Sequence, residues 1–248
     1  MTRNIIELNL QHQTLDKTNG FSTWKTIKTK TNWKPSKTAL LLCDIWDSHW
    51  CRGAVKRLNL MTKQMNNVTS SCRSLGMPII HAPSSTLDFY KDTPARKRVK
   101  SIPPFDIPPD LDHSDPPLPV DSSDHGSDTG EEEPKSVWTR QHSDIFIDHD
   151  RDLISDDGKE IYNCLQHFDI KHVLIMGVHT NMCILHRSFG IKQMVRWGIP
   201  IALIRDLTDT MYNPEMPPYV NHNEGTELVI SFIEKFWCPT IHSSDILT

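Results

Sequence analysis

The sequence lacks several patterns that mark specialised classes of protein. No two of its cysteines have the Cys-x-x-Cys spacing, which excludes a zinc ribbon and a thioredoxin-type redox motif. No stretch approaches the roughly 18 consecutive apolar residues that a membrane-spanning helix needs. The net charge is -4 and no basic stripe runs along the chain, so the composition argues against a nucleic-acid-binding protein. We therefore expect a globular protein whose partners include neither nucleic acid nor a membrane.

The six cysteines also lack the spacing of a disulfide framework, and the N-terminal segment lacks the apolar core of a secretory signal. In a chain of 248 residues such cysteines are interpreted as reduced thiols, which favours a cytoplasmic location. The same length is sufficient for one large domain with a substantial hydrophobic core.

Strand-like and helix-like patterns alternate along most of the chain. Short apolar runs rich in β-branched residues alternate with amphipathic stretches, which include 55–75, 157–168 and 224–236. This alternation predicts an α/β domain over residues 38–248, in which helices cover both faces of a parallel sheet.

Two regions fall outside this pattern. Residues 1–37 are polar and are predicted to form an N-terminal arm. Residues 101–135 contain eight of the 17 prolines and the acidic run from Asp121 to Glu133, so few apolar residues are left to offset the entropy of ordering. We interpret this segment as a Pro-rich, acidic insertion in the domain that is mobile at its acidic end. The alternative is a lid over an active site.

The most informative stretch runs from Gly177 to Cys183. It follows the buried-strand pattern of residues 172–176 and precedes apolar residues at helical spacing, which places Cys183 where a central strand turns into a helix. The N–H groups of the first turn and the positive end of that helix would favour a thiolate. The alternative is a cysteine that only packs in the core.

An acidic residue, Asp44, follows a second buried-strand pattern over residues 39–43. In open parallel sheets the ligand crevice lies outside the carboxyl ends of the strands, so Asp44 and Cys183 are predicted to share that edge. A carboxylate there can accept the thiol proton and activate the sulfur. The alternative is an aspartate that only caps the following turn.

These blocks resemble the isochorismatase-like cysteine hydrolases, a family that includes nicotinamidases, N-carbamoylsarcosine amidases, and ureidoacrylate and biuret hydrolases. The matching features are the strand ending in Asp44, the Gly177-x-x-Thr180-x-x-Cys183 block, and the strand 199–204 that leads into Arg205 and Asp206. The resemblance covers residues 36–236 apart from the insertion. It implies a single-domain, three-layer α/β/α fold with a mostly parallel, doubly wound sheet, and a homo-oligomer.

The resemblance also implies an Asp–Lys–Cys catalytic triad. Asp44 would be the base, and Cys183 would be the nucleophile that attacks an amide or related carbonyl carbon. Family members have a cis peptide just before the threonine of this block, and here it falls at Val178-His179. The backbone N–H groups of His179 and Cys183 would then form the oxyanion hole.

The chain departs from the family at the lysine. The corresponding position is Arg140, which keeps the positive charge that stabilises a thiolate but does not readily give up a proton. Arg140 is therefore predicted to be the third catalytic residue, with a charge-stabilising role. Lys135 aligns less well, and His142 is an alternative for proton transfer.

Further polar and aromatic residues are expected at the same edge of the sheet. The predicted substrate-binding residues are Trp46, His49, His81, Thr180 and Asn181. Nicotinamidases carry an additional Asp/His metal site, but the Asp-x-His signature that follows their second strand is missing here. We therefore expect no metal and no cofactor. The alternative is a divalent ion held by Asp47, His49 and His81, whose donor atoms suit zinc or iron.

The residues and the resemblance together predict an amidase-like enzyme. It would be a cysteine hydrolase that cleaves a non-peptide C–N bond of a small amide or ureide through a thioester on Cys183. Two alternatives stay open. One keeps the fold but cleaves a vinyl ether without a covalent cysteine, and the other is a catalytically silent family member that acts as a binding or scaffold subunit.

Overall fold

One mixed β-sheet forms the centre of the computed structural model, which describes residues 4–247. Its strands are β1 (Ile6–Asp16), β2 (Thr23–Trp33), β3 (Thr38–Cys43), β4 (Ile79–Ala82), β5 (Leu153–Ile154), β6 (His172–Val178), β7 (Ile201–Asp209) and β8 (Thr240–Ile241). Within the described residues the sheet has eight strands in the order β2-β1-β8-β7-β6-β3-β4-β5. The six neighbouring strands β8, β7, β6, β3, β4 and β5 are all parallel to one another, whereas β1 runs antiparallel to both of its neighbours, β2 and β8.

The helices connect these strands in the chain order that the sequence predicts. They are α1 (Arg52–Ser74), α2 (Leu87–Tyr90), α3 (Pro94–Ser101), α4 (Gly158–His167), α5 (Ile191–Arg196) and α6 (His222–Phe236). The three amphipathic stretches of the sequence correspond to α1, α4 and α6. Capping side chains set where two of them begin: Asp157 accepts hydrogen bonds from the first N–H groups of α4, and Asn221 and Glu224 form a capping box on α6.

The parallel part of the sheet is wound in both directions from its centre. The chain enters at β3 and moves outward through β4 to β5, then returns to the other side of β3 and moves outward through β6, β7 and β8. The strand order therefore reverses between β3 and β6. In folds of this type the crevice at that reversal is the usual position of a ligand site.

Alternate residues of each central strand pack into two separate cores. On one face Leu40 and Leu42 of β3 pack with α1 residues such as Leu58 and Met65. On the other face Ala39, Leu41 and Cys43 pack with residues of α4, α5 and α6. Because the strands are buried on both faces, they are apolar throughout rather than alternating. The predicted three-layer, mostly parallel and doubly wound fold is confirmed.

The N-terminal region differs from the expected arm over residues 1–37. Its described part forms an antiparallel hairpin of β1 and β2, paired along all of residues 6–16 and 23–33, and β1 extends the sheet beyond β8. Ile6, Leu8 and Trp33 are buried in the core on the α1 side. These few apolar residues at one end of the hairpin are sufficient to attach a mostly polar segment to the domain. Residues 1–3 lie outside the described part of the chain.

No helix within residues 4–247 combines the length and the apolar character needed to cross a membrane. All six cysteines are free thiols in the structure.

Candidate active site

The candidate site lies at the reversal of strand order, where the carboxyl ends of β3 and β6 are adjacent. Cys43 pairs with Gly177, so the residues that follow each strand emerge side by side. Gly177 has φ +132°, and a Cβ at this position would overlap the carbonyl oxygen of Cys43. Only glycine permits both the backbone conformation and the close approach. The glycine of the sequence block is thus explained by backbone geometry.

Asp44 is the first residue after β3 and is completely buried. Its φ of +52° lies in the left-handed region, which aspartate tolerates better than most residues. Its Oδ1 accepts a hydrogen bond of 2.8 Å from the backbone N–H of Ser84, and its Oδ2 accepts one of 2.7 Å from Nε of Arg187. Burial raises the pKa of the Asp44 carboxyl, and Arg187 and Ser84 oppose that rise.

Cys183 lies beside Asp44 in a π-helical turn over Thr180–Ile184. The Asp44 carboxyl and the backbone N–H of His179 both act on its thiol, the first raising and the second lowering the pKa of Cys183. Burial and the negative charge of Asp44 raise the pKa of Cys183 to about 12. The expected thiolate at a helix start is therefore not the resting form, because burial and the negative charge of Asp44 both favour the neutral thiol. The arrangement indicates a neutral thiol whose proton has an adjacent acceptor.

Arg187 supplies the positive charge of the site. It stands four residues after Cys183, and its backbone N–H donates a hydrogen bond of 3.0 Å to the carbonyl oxygen of Cys183. This spacing brings its side chain back over the sulfur and onto Asp44. The guanidinium also lies over the ring of Trp46, 5.8 Å from its centroid. The charges of Asp44 and Cys183 help to raise the pKa of Arg187 against the effect of burial.

Arg140, the predicted third catalytic residue, is placed elsewhere. Its side chain is about half exposed, with Nε 3.8 Å from a carboxylate oxygen of Asp47 and the guanidinium over the ring of Phe89. The cation that contacts the Asp44 carboxylate is Arg187. Arg140 thus occupies the place of the family lysine in the sequence, whereas Arg187 is the arginine beside the nucleophile. His142, the alternative for proton transfer, bonds Asn59 through Nε2.

The peptide bond between Val178 and His179 is cis, at the position that the resemblance implied. The His179 side chain is buried, and burial together with the charge of His49 lowers its pKa well below the usual range. The ring is therefore neutral and packs edge-on against His49, with 4.7 Å between ring centroids.

Two of the predicted substrate-binding residues hold the nucleophile turn in place. The hydroxyl of Thr180 is 2.8 Å from that of Thr208 at the end of β7. The Asn181 side chain donates to the carbonyl oxygen of Met211 and accepts from its N–H, at 2.8 and 3.0 Å. Both residues are buried, and these bonds fix the turn to the segment that follows β7. Asn181 also lines the cavity described below, so its backbone lies at the wall of the site.

Trp46 acts on the site through Asp44. Its indole N–H donates a hydrogen bond of 3.0 Å to the carbonyl oxygen of Ser84, the residue whose own N–H binds Asp44. His49 stacks on Trp138, and burial lowers its pKa to about 4. These residues form an aromatic layer behind the carboxylate.

His81 is completely buried in a separate polar network. Its Nδ1 lies 2.9 Å from Oε1 of Gln141, and its Nε2 lies 3.0 Å from Asp152. Both ring nitrogens are therefore engaged by the protein, which makes His81 a structural residue rather than a residue that contacts substrate. Asp47 in turn binds the N–H and hydroxyl of Thr139. Within residues 4–247, no three His, Cys, Asp or Glu side chains gather in a metal-binding arrangement.

A cavity of about 450 Å³ opens beside the sulfur of Cys183. It is lined by Leu118, Ser122, Asn181, Met182, Cys183, His186 and Arg187. Leu118 and Ser122 belong to the 101–135 insertion, so this segment forms one wall of the cavity. A nucleophile and a cation at one side, with an apolar and a hydroxyl side chain from the insertion at the other, fit a small organic ligand.

Ionic and backbone contacts hold the insertion against the domain. Asp128 accepts a hydrogen bond of 2.6 Å from Arg57 of α1, whose Nε also contacts Asp209 at the end of β7. Gly126, with φ +73°, packs so closely that a Cβ would overlap the carbonyl group of Met211. The segment has almost no regular secondary structure, but its acidic end is packed, in contrast to the mobile segment that composition predicts.

The role of Arg187 was not predicted from the sequence, whereas a position of the insertion over the site was left open as the lid alternative. One signal for Arg187 was present, since a residue four positions after a helical nucleophile lies on the same face of the helix. It was hidden because the apolar pattern over 184–195 predicts one continuous helix. The structure instead has a π-helical turn, a break at 187–190 and the short helix α5.

Three solved structures are similar to this chain to different degrees. A cysteine hydrolase from Pseudomonas syringae pv. phaseolicola 1448A has a TM-score of 0.54 and 13% identity, over 87% of this chain and 92% of that chain. An isochorismatase from Pseudomonas putida KT2440 has a TM-score of 0.47 and 9% identity, over 86% and 91% of the two chains. An isochorismatase family protein from Burkholderia thailandensis has a TM-score of 0.47 and 10% identity, over 86% and 96%. No protein-family model and no curated protein matches the sequence.

The first of these likenesses confirms the family resemblance at the level of the fold. This chain has the fold of a cysteine hydrolase of known structure across most of its length. At 13% identity that likeness extends to the fold alone.

Proposed function

We propose that this chain, which has the isochorismatase-like fold, is a hydrolase that cleaves a C–N bond of a small amide or ureide through a thioester on Cys183. In this proposal Cys183 is the nucleophile, Asp44 is the base and then the acid, and Arg187 is the cation that holds Asp44 in position. Arg187 takes the role that the family resemblance gave to Arg140.

One observation carries the proposal: the carboxyl group that neighbours the Cys183 thiol, that of Asp44, is completely buried and is itself fixed on both oxygens. Ser84 and Arg187 bind the two oxygens of Asp44 at 2.8 and 2.7 Å, so the carboxylate has no freedom to turn away from the sulfur. An activated cysteine of this kind needs a base within hydrogen-bonding reach and a third group that orients the base. A cysteine that only packs in a core needs neither.

The chemical steps follow from these contacts. As the sulfur attacks the carbonyl carbon, the thiol proton moves to Asp44 and the C–S bond forms. Asp44 then gives that proton to the nitrogen as the C–N bond breaks, which releases an amine or ammonia and leaves the thioester. Asp44, again a carboxylate, takes a proton from water, whose oxygen attacks the thioester and frees the acid and the thiol. One carboxyl group with a raised pKa thus serves as base and acid in turn.

The raised pKa of Asp44 suits this double role. A carboxyl with an ordinary pKa is a weak acid catalyst near neutrality, because it is almost always ionised. Burial raises the pKa of Asp44, and this favours return of the proton to the leaving nitrogen. The positive charge of Arg187 and the hydrogen bond from Ser84 oppose that rise and favour the carboxylate form that a base requires.

The experiment is a screen of neutral small amides and ureides for release of ammonia or amine, with the native chain and Cys183→Ser compared on each compound. The matched control is Cys51→Ser. Cys51 caps the start of α1, where its sulfur accepts a hydrogen bond from Ala54, and serine suits that cap. We expect turnover in the native chain and the control and its loss in Cys183→Ser.

Turnover that survives Cys183→Ser would exclude the thioester route and favour cleavage without a covalent cysteine. No turnover of any compound by the native chain would contradict the amide proposal. A second pair of variants distinguishes the two arginines. Arg187→Gln is expected to lose at least tenfold more turnover than Arg140→Gln, and the reverse order would restore the role predicted for Arg140.

A further inference from the structure

The guanidinium of Arg187 is only partly used by the protein. Within residues 4–247 its side chain makes one hydrogen bond, from Nε to Asp44. The fork of the two terminal nitrogens makes none in that part of the chain. Arg187 is about one-third exposed and lines the cavity beside Cys183. The end of the side chain that is not engaged by Asp44 is therefore at the wall of the cavity, next to the reacting sulfur.

We infer that Arg187 is a catalytic residue in its own right: its terminal N–H groups bind the oxyanion that forms when Cys183 attacks the carbonyl carbon. This inference rests on the proposed function. It adds a second role to the one already given, in which Nε orients Asp44. The side chain of a single arginine four residues after the nucleophile thus serves both the base and the developing charge.

The distribution of charge in the site supports this role. Before attack, the positive charge of Arg187 is matched by the Asp44 carboxylate, and the thiol is neutral. During attack the proton moves from sulfur to Asp44, which becomes neutral, while the electron pair of the carbonyl bond moves onto oxygen. The positive charge of Arg187 is then matched by the oxyanion. The buried site stays electrically neutral throughout, so no uncompensated charge arises where solvation is weak.

The backbone N–H of His179 acts on the sulfur before any oxyanion forms, because it lowers the pKa of the Cys183 thiol in the resting site. Arg187 and Cys183 line the same cavity, and the positive charge of Arg187 lowers the pKa of the Cys183 thiol. A planar fork with fixed donors is also well suited to hold an oxygen anion.

The test separates formation of the nucleophile from stabilisation of the oxyanion. Alkylation of Cys183 by iodoacetamide needs the sulfur nucleophile but creates no oxyanion, whereas amide turnover needs both. We compare the second-order rate of alkylation and kcat/KM for the same amide at the same pH, in the native chain, Arg187→Gln and Arg187→Lys. Lysine keeps the charge but lacks the fork, and it provides a second variant if glutamine disturbs folding.

In Arg187→Gln we expect kcat/KM to fall on the order of 100-fold more than the alkylation rate, the usual effect of removing one oxyanion donor. For Arg187→Lys we expect kcat/KM, relative to the alkylation rate, to lie between the values for Arg187→Gln and the native chain. Equal losses in the two assays would overturn the inference, because Arg187 would then act only through Asp44 and the thiol. That result leaves the proposed function intact, whereas a native chain without amide turnover would overturn both.

Discussion

The buried network around Asp152 gives a prediction with a defined magnitude. Asp152 is 1% exposed and receives two hydrogen bonds from Arg73, at 3.0 and 2.6 Å, and one of 2.9 Å from the backbone N–H of Asp148. His81 lies 3.0 Å from the same carboxylate. Asp152→Asn keeps the shape of the side chain but removes its charge. It leaves the buried guanidinium of Arg73 without its ionic partner.

The expected loss of stability follows from the pKa. Burial opposes ionisation of Asp152, but hydrogen bonds from His81 and Arg73 outweigh it and lower its pKa from 3.8 to about 2. Because the folded-state pKa is lower than the unfolded one, the carboxylate stabilises the fold above pH 4, and this contribution is lost as the pH falls towards 2. This lowering of the Asp152 pKa corresponds to about 2.5 kcal/mol in the free energy of unfolding. Removing one partner of a buried ion pair typically costs about 3–5 kcal/mol. We therefore expect Asp152→Asn to lower the free energy of unfolding by about 3 kcal/mol at pH 7.

The assay is urea unfolding of the native chain and Asp152→Asn at several pH values between 7 and 3. The difference in free energy of unfolding should be largest at pH 7 and should decrease steadily below pH 4. The control is Asp92→Asn, whose carboxylate is mostly exposed and lies 3.9 Å from Lys97, so its loss should be small. A difference for Asp152→Asn that is absent, or that does not change with pH, would refute this reasoning.

Three further predictions concern the site and its surroundings. Gly177→Ala should lower the free energy of unfolding by at least about 2 kcal/mol, because the added Cβ would overlap the backbone of Cys43. The loss measured by chemical unfolding should be much larger than for Gly76→Ala, where the added Cβ meets no atom and only the positive φ is strained. Amide turnover should be lost as the pH falls through the pKa of Asp44, which burial raises above 3.8. A pH–rate profile whose acidic midpoint lies at or below 3.8 would contradict this. Gly126→Ala should displace the insertion wall and raise KM severalfold in steady-state assays, and an unchanged KM would separate the insertion from substrate binding.

Much of the site could be predicted from the sequence because its parts are local. Asp44 and Cys183 each follow a buried-strand pattern directly, and residues after parallel strands share one edge of the sheet. Their pairing across 139 positions needs no further information once the two strands are recognised as neighbours. Gly177 is similarly local, since its role depends on the strand beside it.

Arg187 could not be predicted in the same way, because its role depends on the exact winding of the chain after Cys183. A π-helical turn sets the direction of the side chain, and apolar spacing does not distinguish such a turn from an α-helix. The family resemblance instead indicated Arg140, whose position in the sequence corresponds to that of the family lysine. In the structure the same charge beside Asp44 comes from a different segment.

The insertion shows a second limit of composition. Few apolar residues and many prolines predict disorder when only burial is considered. The segment is held instead by long-range contacts such as the ion pair of Asp128 with Arg57 and the packing of Gly126 on Met211. Partners of this kind are separated widely in sequence and have no local signature.

The thioester on Cys183 is the central claim, and partition of the intermediate by hydroxylamine tests it most directly. A cleaved amide is supplied at saturation with increasing hydroxylamine, and the acid and hydroxamate products are measured together. A thioester predicts that hydroxamate rises at the expense of acid as hydroxylamine intercepts the acyl group on Cys183. Acid as the only product at every hydroxylamine concentration would contradict the account.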